Sequence, residues 1–290
     1  MQSQVGCESR PGEVRVRRLV YDLGMHGGED TAFYLKRGFE VVGVEANPRL
    51  VEMLDEKFAR EIRFGQLRIV GKAINSHPGR AKFLVNAVSV WGTLTEAFAE
   101  RNAGEGAEAH EIMVECVTFA DILREYGMPY YLKMDIEGCE SFCLDDLREF
   151  SGRPRYISVE SRATSPGNGF ADTLRELRTL CELGYHRFRY LDQATIPGRT
   201  DELTGEGEPI RYTFPEHSSG PFGKDLGHGW HSYAGAAVAG LSLRAVDDVC
   251  GQNGRLRGRR GMHRMGRIRA RLTGRPEHWY DLHACMEEGR

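Results

Sequence analysis

Acidic side chains stand where several apolar runs of this sequence end. Asp22 and Glu45 each end a short apolar run, and Asp135 and Glu137 end a third. Short apolar runs of this kind are typical of buried strands. The carboxyl ends of parallel strands meet at one edge of a sheet, where ligands bind in a crevice. The pattern therefore predicts a crevice whose carboxylates can accept hydrogen bonds or a proton.

Glycines follow the first of these acids. The stretch from Asp22 to Gly28 reads D-L-G-M-H-G-G and is followed by a helical run to Arg37. Glycines in such a turn let the backbone approach a ligand, because no Cβ is in the way. Glu45 lies 45 − 24 = 21 positions after Gly24, the usual offset for a carboxylate that accepts ribose hydroxyls. The βαβ pattern predicts a cofactor that carries a nucleoside.

The middle of the glycine loop indicates which nucleoside it is. Dinucleotide-binding loops read G-x-G-x-x-G, with the middle glycine facing a pyrophosphate. His26 occupies that middle place here, and the loop reads D-x-G-x-x-x-G instead. This form is typical of S-adenosylmethionine (SAM) sites, in which backbone groups hold an amino-acid end and no phosphate is present. We therefore predict SAM, and a nicotinamide-dependent oxidoreductase on the same fold is the alternative.

Strand and helix patterns alternate along the chain. This alternation predicts an α/β fold, a Rossmann-like doubly wound sheet that is mostly parallel and covered on both faces. A strand at 81–87 is expected to pair with one at 66–73, and 210–214 is expected to form a final edge strand. The remaining predicted strands lie at about 18–22, 39–45, 111–117, 130–138, 155–160 and 185–190.

Composition excludes several classes of protein. The net charge of −3 gives no general signal for binding polyanions. The seven cysteines have no paired C-x-x-C spacing, so neither a disulfide framework nor a zinc site is predicted, and reduced thiols in a cytoplasmic protein fit best. No apolar run approaches the length that spans a membrane.

Four motifs resemble one enzyme family. The string Y-L-K-M-D-I-E-G-C-E at 131–140 is similar to the L-K-x-D-x-E-G-x-E signature of FkbM-type methyltransferases. Residues 22–31, 44–48 and 117–123 are similar to three further motifs of that family, in the family's order. The resemblance covers about Leu19 to Tyr190. It implies a class I SAM-dependent methyltransferase, a type that often methylates hydroxyl groups of sugars, glycolipids or polyketides. Met25 and His26 depart from it, since the family more often has Ala and Asn there.

The expected site follows from the strand ends and the resemblance together. Glu45 is the expected ribose anchor, and the acceptor is expected to be a small molecule, a glycan or a lipid-linked compound. No oligomeric state is predicted. The expected cofactor contacts are Asp22, Gly24, His26, Gly28, Thr31, Glu45, Ala46, Asn47, Ala73 and Asp135.

The two acids of the signature are the expected catalytic residues. Asp135 and Glu137 are two positions apart and would share a face if their strand continued. We expect Glu137 to take the acceptor's proton and Asp135 to be shared between cofactor and acceptor. A buried structural pair of Lys133 and Asp135 is the alternative. No metal site is predicted, although Mg²⁺ or Mn²⁺ would suit carboxylate ligands of this kind. Glu160 and His26 are weaker candidates for the base.

Three segments are expected along the chain: a flexible leader at 1–16, a methyltransferase domain at 17–215 and an irregular C-terminal extension at 216–290. The piece at 101–109 is expected to be mobile. In the extension, arginines crowd 255–275 without aromatic residues for base stacking. This favours a solvated segment over nucleic-acid binding, and an RNA-binding methyltransferase is the alternative. The aromatic cluster at 278–283 is expected to dock on the domain.

Overall fold

The computed structural model describes residues 18–86, 92–93, 109–136, 138–165, 168–250 and 279–286. The strands are β1 (Leu19–Leu23), β2 (Glu40–Val44), β3 (Leu67–Val70), β4 (Ala73–Ile74), β5 (Gly79–Asn86), β6 (Gly92–Thr93), β7 (Ala109–Val117), β8 (Tyr131–Met134), β9 (Tyr156–Glu160), β10 (Arg187–Asp192), β11 (Thr200–Leu203), β12 (Ile210–Thr213) and β13 (Tyr280–Cys285). The α-helices are α1 (Glu29–Lys36), α2 (Pro48–Lys57), α3 (Ala59–Arg63), α4 (Phe119–Tyr126), α5 (Glu140–Leu147), α6 (Phe170–Glu182) and α7 (Tyr233–Cys250). Short 3₁₀ helices span Gln193–Thr195 and Gly223–Leu226.

A seven-stranded sheet forms the centre of the molecule, in the order β10-β13-β9-β8-β1-β2-β3. The pairs from β9 through β8, β1 and β2 to β3 are parallel, and β13 runs antiparallel to both of its neighbours. Helices cover both faces, so β1 and β8 are almost entirely buried, and their residues are apolar except for Asp22 and Lys133. The predicted α/β fold with a mostly parallel doubly wound sheet is confirmed.

Local signals fix several element boundaries. Thr118 is the N-cap of α4, and its side chain accepts a hydrogen bond from the Asp121 N–H. Helix α6 ends at Glu182, and Gly184 follows with a φ of +99°, as expected of a glycine that terminates a helix. Residues within a few positions of each boundary therefore determine where these two helices begin and end.

The predicted partner of β5 is wrong. β5 pairs antiparallel with β7, from Gly79–Cys116 to Asn86–Ala109, rather than with β3. The third predicted strand is split, because β3 ends at Val70 in the main sheet while β4 joins β7 in a separate four-stranded sheet. That sheet has its own small core, formed by Ala73, Phe83, Val114 and Cys116.

Two later strands also differ from expectation. β12 pairs with β11 in a two-stranded sheet instead of extending the main one. Its Tyr212 packs on Phe33 of α1, with ring centroids 5.0 Å apart, so the two-stranded sheet lies against the helix of the glycine loop. β13 comes from the predicted irregular extension, yet it lies inside the main sheet between β9 and β10.

Some predictions fall outside the described residues. They are the leader at 1–16, the piece at 101–108, the arginine run at 255–275 and Glu137. Within the described part of the chain, no helix combines the length and apolar character needed to cross a membrane.

Candidate functional site

The loop after β1 is held against the ends of two neighbouring strands. The backbone N–H groups of Gly24 and Met25 both donate to the Val44 carbonyl oxygen, at 2.9 and 3.1 Å. Gly24 has a φ of +83°, and a Cβ there would lie 1.9 Å from the Asp135 carbonyl oxygen. Only glycine permits both this backbone conformation and this close approach. The loop therefore joins the carboxyl ends of β2 and β8 at one point.

Glu45 lies directly after β2 and faces this loop. Its Oε2 accepts from the His26 N–H at 3.0 Å, and its Oε1 accepts from the Asn47 N–H at 2.8 Å. Burial raises the pKa of Glu45, although both backbone hydrogen bonds act in the opposite direction. A carboxylate offers about four acceptor positions, so Glu45 keeps capacity for further donors.

The residues after Glu45 begin α2 and border an apolar patch. Asn47 caps α2, since its side chain accepts from the Arg49 N–H at 3.1 Å. Ala46 packs against the small core that contains Ala73. The small core that contains Ala73 therefore borders Ala46, the residue next to Glu45.

Asp22 and Thr31 lie beneath the loop. Both are fully buried, and the Thr31 hydroxyl donates to Asp22 Oδ2 at 2.6 Å. Asp22 Oδ1 accepts from the Lys133 ammonium at 3.1 Å. Gly28 starts α1 in the left-handed region, and a Cβ there would lie 2.6 Å from the Phe58 ring. These contacts indicate that Asp22, Thr31 and Gly28 shape the loop from below.

Lys133 is the centre of a buried group of acids. Its ammonium lies 3.1 Å from Asp22, 3.5 Å from Asp30 and 3.7 Å from Asp135. Burial raises the pKa of Asp30 to about 6, while the charge of Lys133 acts in the opposite direction. The nearest carboxylate to Lys133 is therefore that of Asp22. Asp135 is its most distant partner and is half-exposed, so a closed Lys133–Asp135 pair is not what the structure shows.

The signature acids follow a strand that is shorter than expected. β8 ends at Met134, and the Asp135 N–H makes a last hydrogen bond to the Leu23 carbonyl oxygen at 3.0 Å. The strand therefore ends before Asp135, so the condition under which Asp135 and Glu137 would share a face is not met, and Glu137 lies outside the described residues.

Glu140, which the sequence analysis left without a role, holds this turn. Its buried carboxylate accepts from the Ile136 N–H at 3.1 Å and from the Gly138 N–H at 3.1 and 3.2 Å. Burial raises the pKa of Glu140, and these hydrogen bonds act against the rise. A glutamate in the first turn of α5, just after a glycine, was the available signal, because acids there satisfy free backbone N–H groups.

Comparison with known families and structures identifies the family. The profile described as the methyltransferase FkbM domain matches residues 22–187, which is more than half of the chain. The chain belongs to the FkbM methyltransferase family. A search of curated proteins finds no match.

Solved structures give only distant likenesses. The precorrin-6y C5,15-methyltransferase of Geobacter metallireducens is 11% identical, covering 69% of this chain and 78% of its own, with a TM-score of 0.34. The C-terminal domain of the Rhodobacter capsulatus precorrin-6Y enzyme is 12% identical, covering 68% and 78%, with a TM-score of 0.37. A putative sarcosine dimethylglycine methyltransferase from Galdieria sulphuraria is 8% identical, covering 93% and 79%, with a TM-score of 0.37. Likeness at this level does not bear on substrate or mechanism.

Residues beyond the FkbM match also reach the site. The Ser219 N–H donates to both carboxylate oxygens of Asp30, at 2.9 and 3.2 Å. The His217 ring lies 5.1 Å from the ring of His26, centroid to centroid. His26 itself has a φ of +52°, and its Nδ1 lies 3.4 Å from Glu29 Oε2. The extension therefore covers the start of α1 and the glycine loop of this FkbM-family protein.

Strand β13 brings a further carboxyl group to the crevice. Asp281 is paired in register with Glu160, the last residue of β9, so it lies at the same edge of the sheet as Asp135. Sequence reasoning missed it, because nothing local marks a strand whose partners are far away in the chain. Among the described residues, no group of three or more His, Cys, Asp or Glu side chains is arranged to hold a metal ion.

Proposed function

We propose that this FkbM-family protein binds SAM between the glycine loop and the end of β2, and methylates a hydroxyl group. The acceptor is a small molecule, a glycan or a lipid-linked compound. The observation that carries the proposal is Glu45, a buried carboxylate that is tied to the loop through the His26 N–H at 3.0 Å and keeps acceptor capacity for two ribose hydroxyls.

The residues around Glu45 fit the other parts of SAM. Ala46 and Ala73 offer the apolar surface that an adenine ring needs, and Asn47 holds the turn through its cap on α2. Gly24 lets the backbone approach the amino-acid end. Asp135, half-exposed at the end of β8, is placed to accept from the ammonium of that end or from the acceptor. Asp22, Gly28 and Thr31 then act by shaping the loop, and His26 contributes its backbone N–H to Glu45.

When bound, SAM would supply an electrophilic methyl group for in-line attack by the acceptor oxygen. The sulfur would leave with the electron pair of the broken carbon–sulfur bond, and the hydroxyl proton would pass to a base or to water. Most of the catalysis then comes from positioning and exclusion of water. A general base adds about 10²–10⁴-fold. Glu137 stays the sequence-based hypothesis for that base, and it lies outside the described residues.

A cytoplasmic location is part of the same proposal. The cysteines described as free are Cys116, Cys139, Cys143, Cys181 and Cys285. Reduced thiols are usual in the cytosol, where glutathione and thioredoxin keep them so.

Calorimetry with SAM and with its demethylated product tests the cofactor directly, and we expect both to bind. Transfer of label from SAM to pooled cellular glycans, lipids and small molecules then tests the reaction. The competing oxidoreductase would instead show turnover at 340 nm with a nicotinamide cofactor and no SAM binding, and that result would end the proposal. The RNA-binding alternative requires affinity for RNA that falls steeply with salt.

A further inference from the structure

Strand β13 places Asp281 on the face of the sheet that carries the buried acids. Leu282 and Ala284 belong to the core cluster on the opposite face. Because side chains alternate along a strand, Asp281 and His283 point away from that cluster. In β8, the same alternation places the Lys133 side chain on the opposite face of the sheet from Leu132 and Met134, which belong to that cluster. Asp281 and Lys133 therefore share one face, beneath α1 and the Ser219 segment.

Asp281 is almost fully buried beside other charged groups. Only 9% of the residue is exposed, and its carboxyl oxygens are not among the buried side-chain atoms that lack a hydrogen-bond partner. Lys133, the ammonium on this face, lies within 4 Å of Asp22, Asp30 and Asp135. A carboxyl group at this edge of the sheet can exchange a hydrogen bond with the hydroxyl group of a molecule in the crevice.

A buried polar atom without a partner lies on the same face. The Nε2 of His283 is buried and has no hydrogen-bond partner, although His283 is only 2% exposed. Burial lowers the pKa of His283 to about 3, so its imidazole is neutral at physiological pH. A neutral imidazole and a carboxyl group, two positions apart on one face, present donors and acceptors suited to hydroxyl groups.

The electrostatics favour a protonated Asp281. Burial raises its pKa well above the usual range, the nearby charges of Asp135, Asp30 and Glu176 raise it further, and Lys133 acts in the opposite direction. Asp135, by contrast, is half-exposed and lies 3.7 Å from the Lys133 ammonium. Two carboxyl groups in unlike environments at one crevice are a recurring feature of sites that bind and deprotonate a substrate.

We propose that Asp281 is an acceptor-binding residue of the methyl-transfer site, and that it holds an uncharged, hydroxyl-bearing acceptor beside Asp135. The inference rests on the proposed methyltransferase function and adds the residue and the substrate class. Around this position the described residues include the carboxyl groups of Asp22, Asp30, Asp135 and Glu176 and the ammonium of Lys133. Phosphate or carboxylate groups on the acceptor would be repelled there, whereas the hydroxyls of a neutral sugar would not.

The role in binding predicts an unusual effect on stability. Below the unfolded pKa of about 3.9, Asp281 is protonated in both states and makes no pH-dependent contribution. As pH rises, the unfolded chain loses this proton while the folded chain keeps it, so stability falls until the raised folded pKa is reached. Asp281→Asn keeps the shape and removes this cost. A residue kept for function rather than stability should behave in this way.

The test compares Asp281→Asn with Glu206→Gln in the full chain. Glu206 is also buried, but it accepts from Tyr130 at 2.7 Å and from Arg18 at 3.1 Å. We expect Asp281→Asn to melt several degrees higher than the wild type at pH 7.5, with the difference shrinking toward pH 4.5. Glu206→Gln should melt lower at both values. A lower melting temperature for Asp281→Asn at both pH values would show a structural role and overturn the proposal.

The second arm measures function with defined probes. Labelled SAM is offered with methyl glycosides of neutral hexoses and, separately, with hexose 6-phosphates. We expect the wild type to methylate the glycosides. In Asp281→Asn, kcat/KM for the glycoside should fall at least tenfold because the KM for the acceptor rises. The affinity of this variant for SAM should stay within twofold of the wild type. Transfer confined to the phosphates, or to neither set, would overturn the acceptor class. Equal loss of SAM affinity would make Asp281 a cofactor residue, and absent SAM binding in the wild type would instead refute the proposed function.

Discussion

The two ends of the chain meet at one crevice, but they carry different kinds of information. The N-terminal unit from β1 to Glu45 is continuous, and its loop contacts link residues about twenty positions apart. The C-terminal strand β13 reaches the same crevice from the far end of the sequence and depends on β9 and β10 for its position. The proposed cofactor site is therefore local in sequence, whereas the surface proposed for the acceptor depends on residues far apart in the chain.

The largest expected effect comes from removing the C-terminal strand. Deleting residues 279–290 takes Leu282 and Ala284 out of the core and leaves β9 and β10 without the strand between them. We expect no cooperative thermal transition from the shortened chain. Leu282→Ala, as a milder change, should lower the free energy of unfolding by about 2–5 kcal/mol. A soluble fragment that melts like the full protein would break the comparison, since β13 would then be an accessory.

The second-largest expected effect comes from removing Lys133, the cation among the buried acids. Lys133→Met leaves Asp22 and Asp30 without their buried cation, and breaking such a group should cost about 3–5 kcal/mol of stability. Lys72→Met is the matched control, because its pair with Glu115 is exposed and should change stability by less than about 0.5 kcal/mol. Urea unfolding of both variants gives the two values. Equal effects would show that the burial of Lys133 has no energetic role.

A third prediction concerns the close approach of the loop to β8. Gly24→Ala adds a Cβ into the Asp135 carbonyl oxygen and forces alanine to a φ of +83°. Left-handed backbone costs alanine about 1–2 kcal/mol, and the overlap adds about 1–3 kcal/mol.

Gly198→Ala separates the two causes of that loss. Gly198 has a similar φ of +79° with nothing within 4 Å of the added Cβ. Gly198→Ala should therefore lose only the stability that a left-handed backbone conformation costs alanine. The difference in unfolding free energy between the two variants measures the overlap at Gly24. If the variants lose the same stability, the loop does not depend on its contact with Asp135.

Local signals explain which parts of the fold the sequence predicts. The glycine loop, Glu45, the Asn47 and Thr118 caps and the end of α6 each depend on residues within a few positions of one another. The pairing of β5 with β7 and the place of β13 depend on partners far away in the chain, for which periodicity gives no information. The same limit hid the Ser219–Asp30 contact, which joins residues 189 positions apart.

The candidate site divides in the same way. Glu45 and Ala46 follow β2 directly, and Ala46 packs against the small core that contains Ala73, while their contacts with a cofactor stay predictions. Asp135 and Glu137 were expected on one face only because β8 was expected to continue, and it ends at Met134. Whether Glu137 takes the acceptor's proton stays a prediction. Glu137→Gln should lower turnover about 10²–10⁴-fold with nearly unchanged SAM affinity if it does.

The most direct test of the account is SAM affinity in Glu45→Ala, measured by calorimetry. Removing a charged acceptor of two ribose hydroxyls should cost about 1.5–3 kcal/mol of binding free energy, roughly a ten- to hundredfold loss of affinity. Glu45→Asp should lie between this variant and the wild type, because the carboxylate remains but is withdrawn by one methylene. Thermal melting of each variant is the control, because Glu45→Ala also removes the carboxylate that accepts a hydrogen bond from the His26 N–H. SAM affinity that is unchanged in a folded Glu45→Ala protein would contradict the account.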